Sequence, residues 1–352
     1  METQVRALAT QQSARDDEVS VVTATRGEGV PRGHDDDAGV SIERITMNIP
    51  GGLPIHLRAR ARISEELQRV DPDVVHVHVG EVSPFAWGAL RAIQSLGLPR
   101  VVSVHSVWSP GMRGLAAWGG RAWVAPPTIV TAVSSMAARL VERSVRMNVE
   151  VIPNGIDTGV WHPLPQEPHE GIRFVAVQRL APRKRTGALI RAFAAASANS
   201  AMHLDIVGDG PDRSRMEKRV RSWGREGSIA FLGRLAPEEI RSLFTRSDAF
   251  VQASRRESFG IAALEARACG LPVIALRDSG TADFVRSGIE GVLARDDACL
   301  ARSIMAIAGD GDMRSMIASH NVETPVAQSW SRVLPSLDDV YQRARDAIRL
   351  SG

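Results

Sequence analysis

The stretch AFVQASRRESFGIAALEARACGLPVIAL (residues 249–276) reads as strand, loop, helix and strand in turn. Residues 249–253 form a short apolar run. Arg255 to Ser258 is a polar loop, and Phe259 to Cys269 reads as a helix stopped by Gly270 and Pro272. Residues 272–276 are apolar again. A helix between two buried strands brings the second strand back parallel to the first.

The same alternation runs outward in both directions. Upstream, residues 174–177, 203–208 and 229–233 read as buried strands with helical segments between them. Further towards the N-terminus, 19–22, 73–78, 101–105 and 129–133 read as strands. Residues 56–70 and 85–96 read as helices, the second closed by Gly97. The turn-rich stretches 151–157 and 163–171 separate the two runs. The expected fold class is therefore α/β, with two Rossmann-like, doubly wound parallel-sheet domains. Their expected bounds are 1–158 and 159–326. Residues 327–352 form an amphipathic helix, with Pro335 near its start, expected to pack back toward the N-terminal domain.

Composition narrows the class. Apolar residues make up 44% and charged residues 24% of 352 positions, enough for two ordinary cores. The net charge is +3, and the basic side is nearly all arginine; Lys184 and Lys218 are the only lysines. These cations are scattered among acids, so no nucleic-acid partner is expected. Two cysteines, Cys269 and Cys299, offer no disulfide framework and fit a cytoplasmic protein. The most apolar window, 114–133, is broken by Arg121, Pro126 and Pro127, too often for a membrane span. Arg58 and Arg62, one helical turn apart, make a face that can touch anionic lipid at the inner side of a membrane; more commonly such a face is only solvated.

Ligands of open parallel sheets gather beyond the carboxyl ends of the strands. After residues 174–177 come Arg179 and Lys184, two cations suited to a diphosphate. After 203–207 comes Gly208-Asp209-Gly210-Pro211, where glycine lets the backbone approach a ligand. After 249–253 come Glu257 and, eight positions on, Glu265. On one continuous helix their positions would lie about 12 Å apart and point roughly 80° apart, too far for one acid–base pair. With Glu257 in the loop, they can hold two ends of an elongated ligand through vicinal hydroxyls. The backbone N–H groups of Ser258, Phe259 and Gly260 lie between them at a helix N-terminus that favours negative charge. The ligand implied is a nucleotide sugar. Each feature alone also fits a solvated basic loop, a plain turn or a surface helix carboxylate.

Taken together, these loops resemble the retaining glycosyltransferases of family 4, with the GT-B fold. The resemblance rests on Glu257…Glu265 (E-x7-E), on QRLAPRK (178–184) with Gln178 where glycine is usual, and on PNGID (153–157). It rests also on GDGP (208–211), FLG (231–233) and ACGLPV (268–273). SGTADFV (279–285) keeps Gly280 and has Asp283 where glutamate is usual. The resemblance implies a sugar transferred from a nucleoside-diphosphate sugar to a hydroxyl of a glycan, a lipid or a small molecule, with no cofactor and no metal. Arg179 and Lys184 would neutralise the leaving diphosphate, Glu265 would hold the ribose, and Glu257 with residues 258–260 the donor sugar. Gly233 and Arg234 would lie near the base. His105 would face donor sugar and acceptor. His76 and His78 share one sheet face; His78 is a candidate to reach the site, His76 reads as structural, and Ser134 is a weaker site candidate.

Asp35 and Asp37 in HDDDAG (34–39) have a metal-like spacing but read as a solvated turn. Family members open with a strand and a Gly-Gly loop, whereas METQVRALAT reads as the helix that follows them. The first strand is thus expected to be missing. Either the true start lies further upstream, or the chain binds donor without turning it over. A nucleotide-sugar epimerase is a further alternative.

Overall fold

The computed structural model describes residues 1–25, 33–45, 59–81, 83–108, 127–198 and 200–350. Most of the apolar window 114–133, and Arg58, lie outside them. The chain divides into two compact units, Ile156–Ser329 and Met1–Gly155 with Trp330–Gly352.

The unit Ile156–Ser329 is built on six strands: β8 (Ile172–Val177), β9 (Met202–Val207), β10 (Ile229–Gly233), β11 (Ala249–Val251), β12 (Val273–Leu276) and β13 (Gly291–Ala294). Their order is β10-β9-β8-β11-β12-β13, and every pairing is parallel. The chain winds outward from β8 to β10, then returns to lay β11 on the other side of β8. The winding reverses between those two strands, where an open parallel sheet has its ligand crevice. Short apolar strands are what a sheet covered on both faces needs. Phe174, Leu204, Ile206 and Ile274 of the sheet pack with Leu189 and Phe193 of the helix Thr186–Ala196 and Ile304 of the helix Asp297–Gly309.

In the stretch that opened the sequence analysis, the helix is shorter than expected, Ile261–Ala268. Gly260 precedes it at φ +98°, a left-handed conformation that ends helical geometry. Residues 258–260 are therefore the approach to the helix rather than its first turn. The edge strand β13 is unmarked in the sequence reading, because Gly291-Val-Leu-Ala is too short to show a period.

The other unit holds a four-stranded parallel sheet: β4 (Val75–Val79), β5 (Arg100–Val104), β6 (Thr128–Ala132) and the short β7 (Glu150–Val151). A second sheet contains β1 (Ser20–Thr23), β3 (Val40–Arg44) and β2 (Gly33–Asp37) in the order β1-β3-β2, with β1 and β3 parallel. β1 and β4 form no ladder with each other, yet Val22 packs into the same core as Val77 and Val79. The residues read as a polar turn, 34–39, instead include strand β2: Asp35 pairs with Arg44 of β3, and Asp37 with Arg6 of the helix Glu2–Ser13. Among the described residues no three His, Cys, Asp or Glu side chains are grouped to hold a metal ion.

The helix Glu2–Ser13 and the long helix Trp330–Arg349 belong to this unit. Leu8 packs with Trp330, Val333, Leu334 and Leu337, while Val340 and Ala344 cover Val101 of β5. No helix among the described residues is long and apolar enough to cross a membrane.

Candidate active site

In the unit Ile156–Ser329, the loops leaving the carboxyl ends of β8 to β11 are tied to one another. Gly208 N–H donates to the Gly233 carbonyl at 2.6 Å, joining the ends of β9 and β10. Leu180 N–H donates to the Asp209 carbonyl at 2.9 Å, joining β8 to β9. Gly208 sits at φ +121°, and a Cβ there would lie 2.0 Å from the carbonyl oxygen of Gln178, so no other residue fits. Gln178 itself turns inward, its amide donating to Thr186 Oγ1 at 3.0 Å.

Lys184 ends a short 3-10 turn, Pro182–Lys184, after β8; Glu257 lies in the loop after β11. The two therefore flank the reversal of the winding. Lys184 Nζ meets Glu257 Oε2 at 2.6 Å, with side chains 22% and 11% exposed. Arg185 fastens the same two loops: its guanidinium donates to the Ala253 carbonyl at 3.0 Å and to both oxygens of Asp297 at 2.7 and 2.9 Å. Ser254 Oγ donates to the Arg183 carbonyl at 3.3 Å. On the far side, Gly280 N–H donates to the Glu257 carbonyl at 2.8 Å. Sequence reasoning missed Arg185, because one arginine after "RK" carries no pattern; its role comes from the loop geometry.

The remaining candidates differ in how they are held. Arg179 and Arg234 are exposed, and neither guanidinium has a partner among the described residues. Phe259 is buried against Phe284, so what this segment offers outward is backbone. Ser258 is half-buried beside it. Glu265, in the second turn of Ile261–Ala268, has no hydrogen-bond or ion-pair partner among the described residues, and burial pushes its carboxyl up to about 7. An acid so placed is open to a neutral hydroxyl partner. Beside Gly233 stands the Arg213 guanidinium, 3.1 Å from where a Cβ would be.

In the other unit, three histidines come together. His78 Nδ1 meets His105 Nε2 at 2.9 Å, and the rings of His76 and His78 lie 4.0 Å apart. His76 bonds Ser103 Oγ at 2.6 Å and Tyr341 Oη at 2.8 Å, and Ser103 continues to Thr131 at 2.6 Å. Burial holds His76 and His105 well below the ordinary imidazole range and His78 near 4. All three are thus neutral at pH 7. Ser134 does not reach out to a ligand: it is fully buried and accepts from Ala137 N–H as the cap of the helix Ser135–Val145.

Residues 1–160 match the family model described as Glycosyltransferase Family 4, and residues 160–322 the model described as Glycosyl transferases group 1. The D-inositol 3-phosphate glycosyltransferase of Salinispora arenicola is 27% identical over 94% of this chain and 84% of its own. The N-acetyl-alpha-D-glucosaminyl L-malate synthase of Bacillus anthracis is 28% identical over 82% of this chain and 79% of its own. Among solved structures, sucrose-phosphate synthase from Thermosynechococcus elongatus superposes with a TM-score of 0.79 at 19% identity, covering 96% of this chain and 92% of that one. Anabaena HepE in complex with UDP-glucose gives 0.75 at 20%, covering 96% and 94%. The two unit folds are those of a GT-B protein, and the chain belongs to glycosyltransferase family 4, the group 1 glycosyltransferases.

Proposed function

We propose that the chain transfers a sugar from a nucleoside-diphosphate sugar to an acceptor hydroxyl, with retention at the anomeric carbon and without a metal. The observation that carries this is the Lys184–Glu257 pair at the reversal of the sheet, with the unpaired Arg179 and Glu265 available on the same unit. A cation pair supports departure of a diphosphate by opposing the charge that grows on its oxygen. Glu265 receives the ribose diol, its raised affinity for a proton suiting a neutral, hydrogen-bonding partner. Glu257 and the backbone of residues 258–260 receive the donor sugar. Gly208, Gly233 and Arg234 border the nucleoside.

In this reading the acceptor oxygen approaches the face the diphosphate leaves. The C–O bond to the diphosphate breaks, the bond to the acceptor oxygen forms on the same face, and the acceptor proton passes to the departing phosphate oxygen. Neutral His105 orients by hydrogen bonding. The acceptor is a small polyol, a glycan or a lipid headgroup. Relatives named for inositol phosphate and malate acceptors favour the small polar class. The two thiols are free, which goes with a cytoplasmic enzyme.

The test is a panel of uridine, guanosine and adenosine diphosphate sugars, with and without chelator, read by donor consumption and by NMR of the product's anomeric proton. Transfer or donor hydrolysis with unchanged anomeric configuration and no loss in chelator supports the proposal. Inversion, or dependence on added metal, overturns that part. One observation favours a second reading: among the described residues, the strands of Met1–Gly155 form two separate sheets. Thermal stabilisation by a nucleotide sugar, with neither transfer nor hydrolysis, would mark a donor-binding protein that has lost turnover.

A further inference from the structure

We infer that the Lys184–Glu257 ion pair is a sugar-dependent latch, one that lets the site hold a nucleotide sugar and weakens its hold on the nucleoside diphosphate left after transfer. The inference rests on the donor-site reading above. Of the four charged side chains assigned to the ribose, the diphosphate and the sugar, those of Arg179 and Glu265 have no partner among the described residues. The other two, Lys184 and Glu257, satisfy each other at 2.6 Å and are largely buried. The loops that carry them are held by Arg185, Ser254 and Gly280, so the contact is set by the backbone rather than by two long side chains meeting in solvent.

A diphosphate that claims Lys184 competes with Glu257 for its charge. The carboxylate is then a buried charge with a weakened hold on its cation, which is costly unless new donors arrive. A nucleotide sugar brings them: its sugar hydroxyls reach Glu257 as its phosphates reach Lys184. A free nucleoside diphosphate brings phosphates only. Once the sugar has left for the acceptor, Glu257 loses its hydroxyl partners and recovers Lys184, and the diphosphate loses a cation. Glu257 thus sets which of the two nucleotides the site prefers, beyond any contact it makes in the reaction.

The test uses the whole protein and calorimetric titration of the uridine, guanosine and adenosine diphosphates, each beside a sugar it carries. Glu257→Gln keeps the shape and removes the charge. The expected result is tighter nucleoside diphosphate binding than in the unaltered protein, by about ten-fold, with weaker binding of the nucleotide sugar. Equal or weaker diphosphate binding in a folded Glu257→Gln protein, with binding intact in the unaltered protein, overturns the latch and leaves the donor-site reading standing. Failure of the unaltered protein to bind any nucleotide overturns both.

Should the variant not fold, the unaltered protein still decides. It has only two lysines, so ε-carbon labelling gives Lys184 its own NMR signal. The nucleotide sugar should move that signal fully at saturation, and the diphosphate only part of the way. An identical end point for both ligands overturns the latch.

Discussion

His78 Nδ1 and His105 Nε2 meet at 2.9 Å, imidazole to imidazole, at the ends of the neighbouring strands β4 and β5. One ring must donate and the other accept, so the contact requires that the pair not be doubly protonated. In the unfolded chain each imidazole protonates near 6.5, whereas folded His78 resists until about 4. The unfolded chain therefore binds more protons in that window. The stability from this pair is full above about 6.5 and is lost as pH falls towards 4. Urea unfolding midpoints should drop clearly between pH 7.5 and pH 5, and His78→Asn should shrink the drop.

Glu265 carries the opposite sign. Its folded carboxyl holds its proton up to about 7 against an ordinary 4.5, so the native state binds the extra proton and stability declines as pH rises between those values. Glu265→Gln should stabilise the protein at pH 8 by roughly 1–3 kcal/mol and leave it nearly unchanged at pH 4.5. The same variant should weaken nucleotide-sugar binding more than ten-fold. A more stable protein that binds its donor less well is the signature to look for by thermal melts and titration.

In the proposed reading, Arg179→Gln and Lys184→Gln each remove one donor to the departing diphosphate. Each should lower kcat about 10²–10³-fold, the usual effect of losing one such group. Circular dichroism and melting should stay close to those of the unaltered protein for Arg179→Gln, whose side chain is exposed and unpartnered.

Gly280 lies so close to the loop that carries Glu257 that an added Cβ would come within 2.1 Å of the Ser258 carbonyl oxygen. Backbone cannot yield as a flexible side chain can. Gly280→Ala should displace residues 257–259, cost about 1–3 kcal/mol and weaken donor binding about ten-fold. Gly309 has open space around its would-be Cβ. There the same substitution should leave binding alone and stabilise by about 0.4–1 kcal/mol.

The strand–helix alternation made the parallel sheet legible, because strands buried on both faces read as unbroken apolar runs. Phe174 to Val177 and Val273 to Leu276 are such runs, and both are core strands. The short edges were not legible: Glu150–Val151 and Gly291–Ala294 are held by their neighbours rather than by their own pattern. Nor was β2, whose row of acids suggests a turn but whose charges are answered by Arg6 and Arg44. At the candidate site, the residue types at the strand ends were readable one by one. That Lys184 and Glu257 would already hold each other was not, since 73 positions separate them and only the reversal of the winding brings them together. Ser134 shows the converse: a strand-end serine is also what a helix cap looks like in sequence.

Gln178 stands where the family motif usually has glycine; its side chain is stowed inward against Thr186, while its backbone carbonyl occupies the place a Cβ at 208 would need. The requirement for no side chain therefore falls on 208 and not on 178. Tolerance to change should be lopsided here, wide at 178 for any residue able to fold inward and nil at 208.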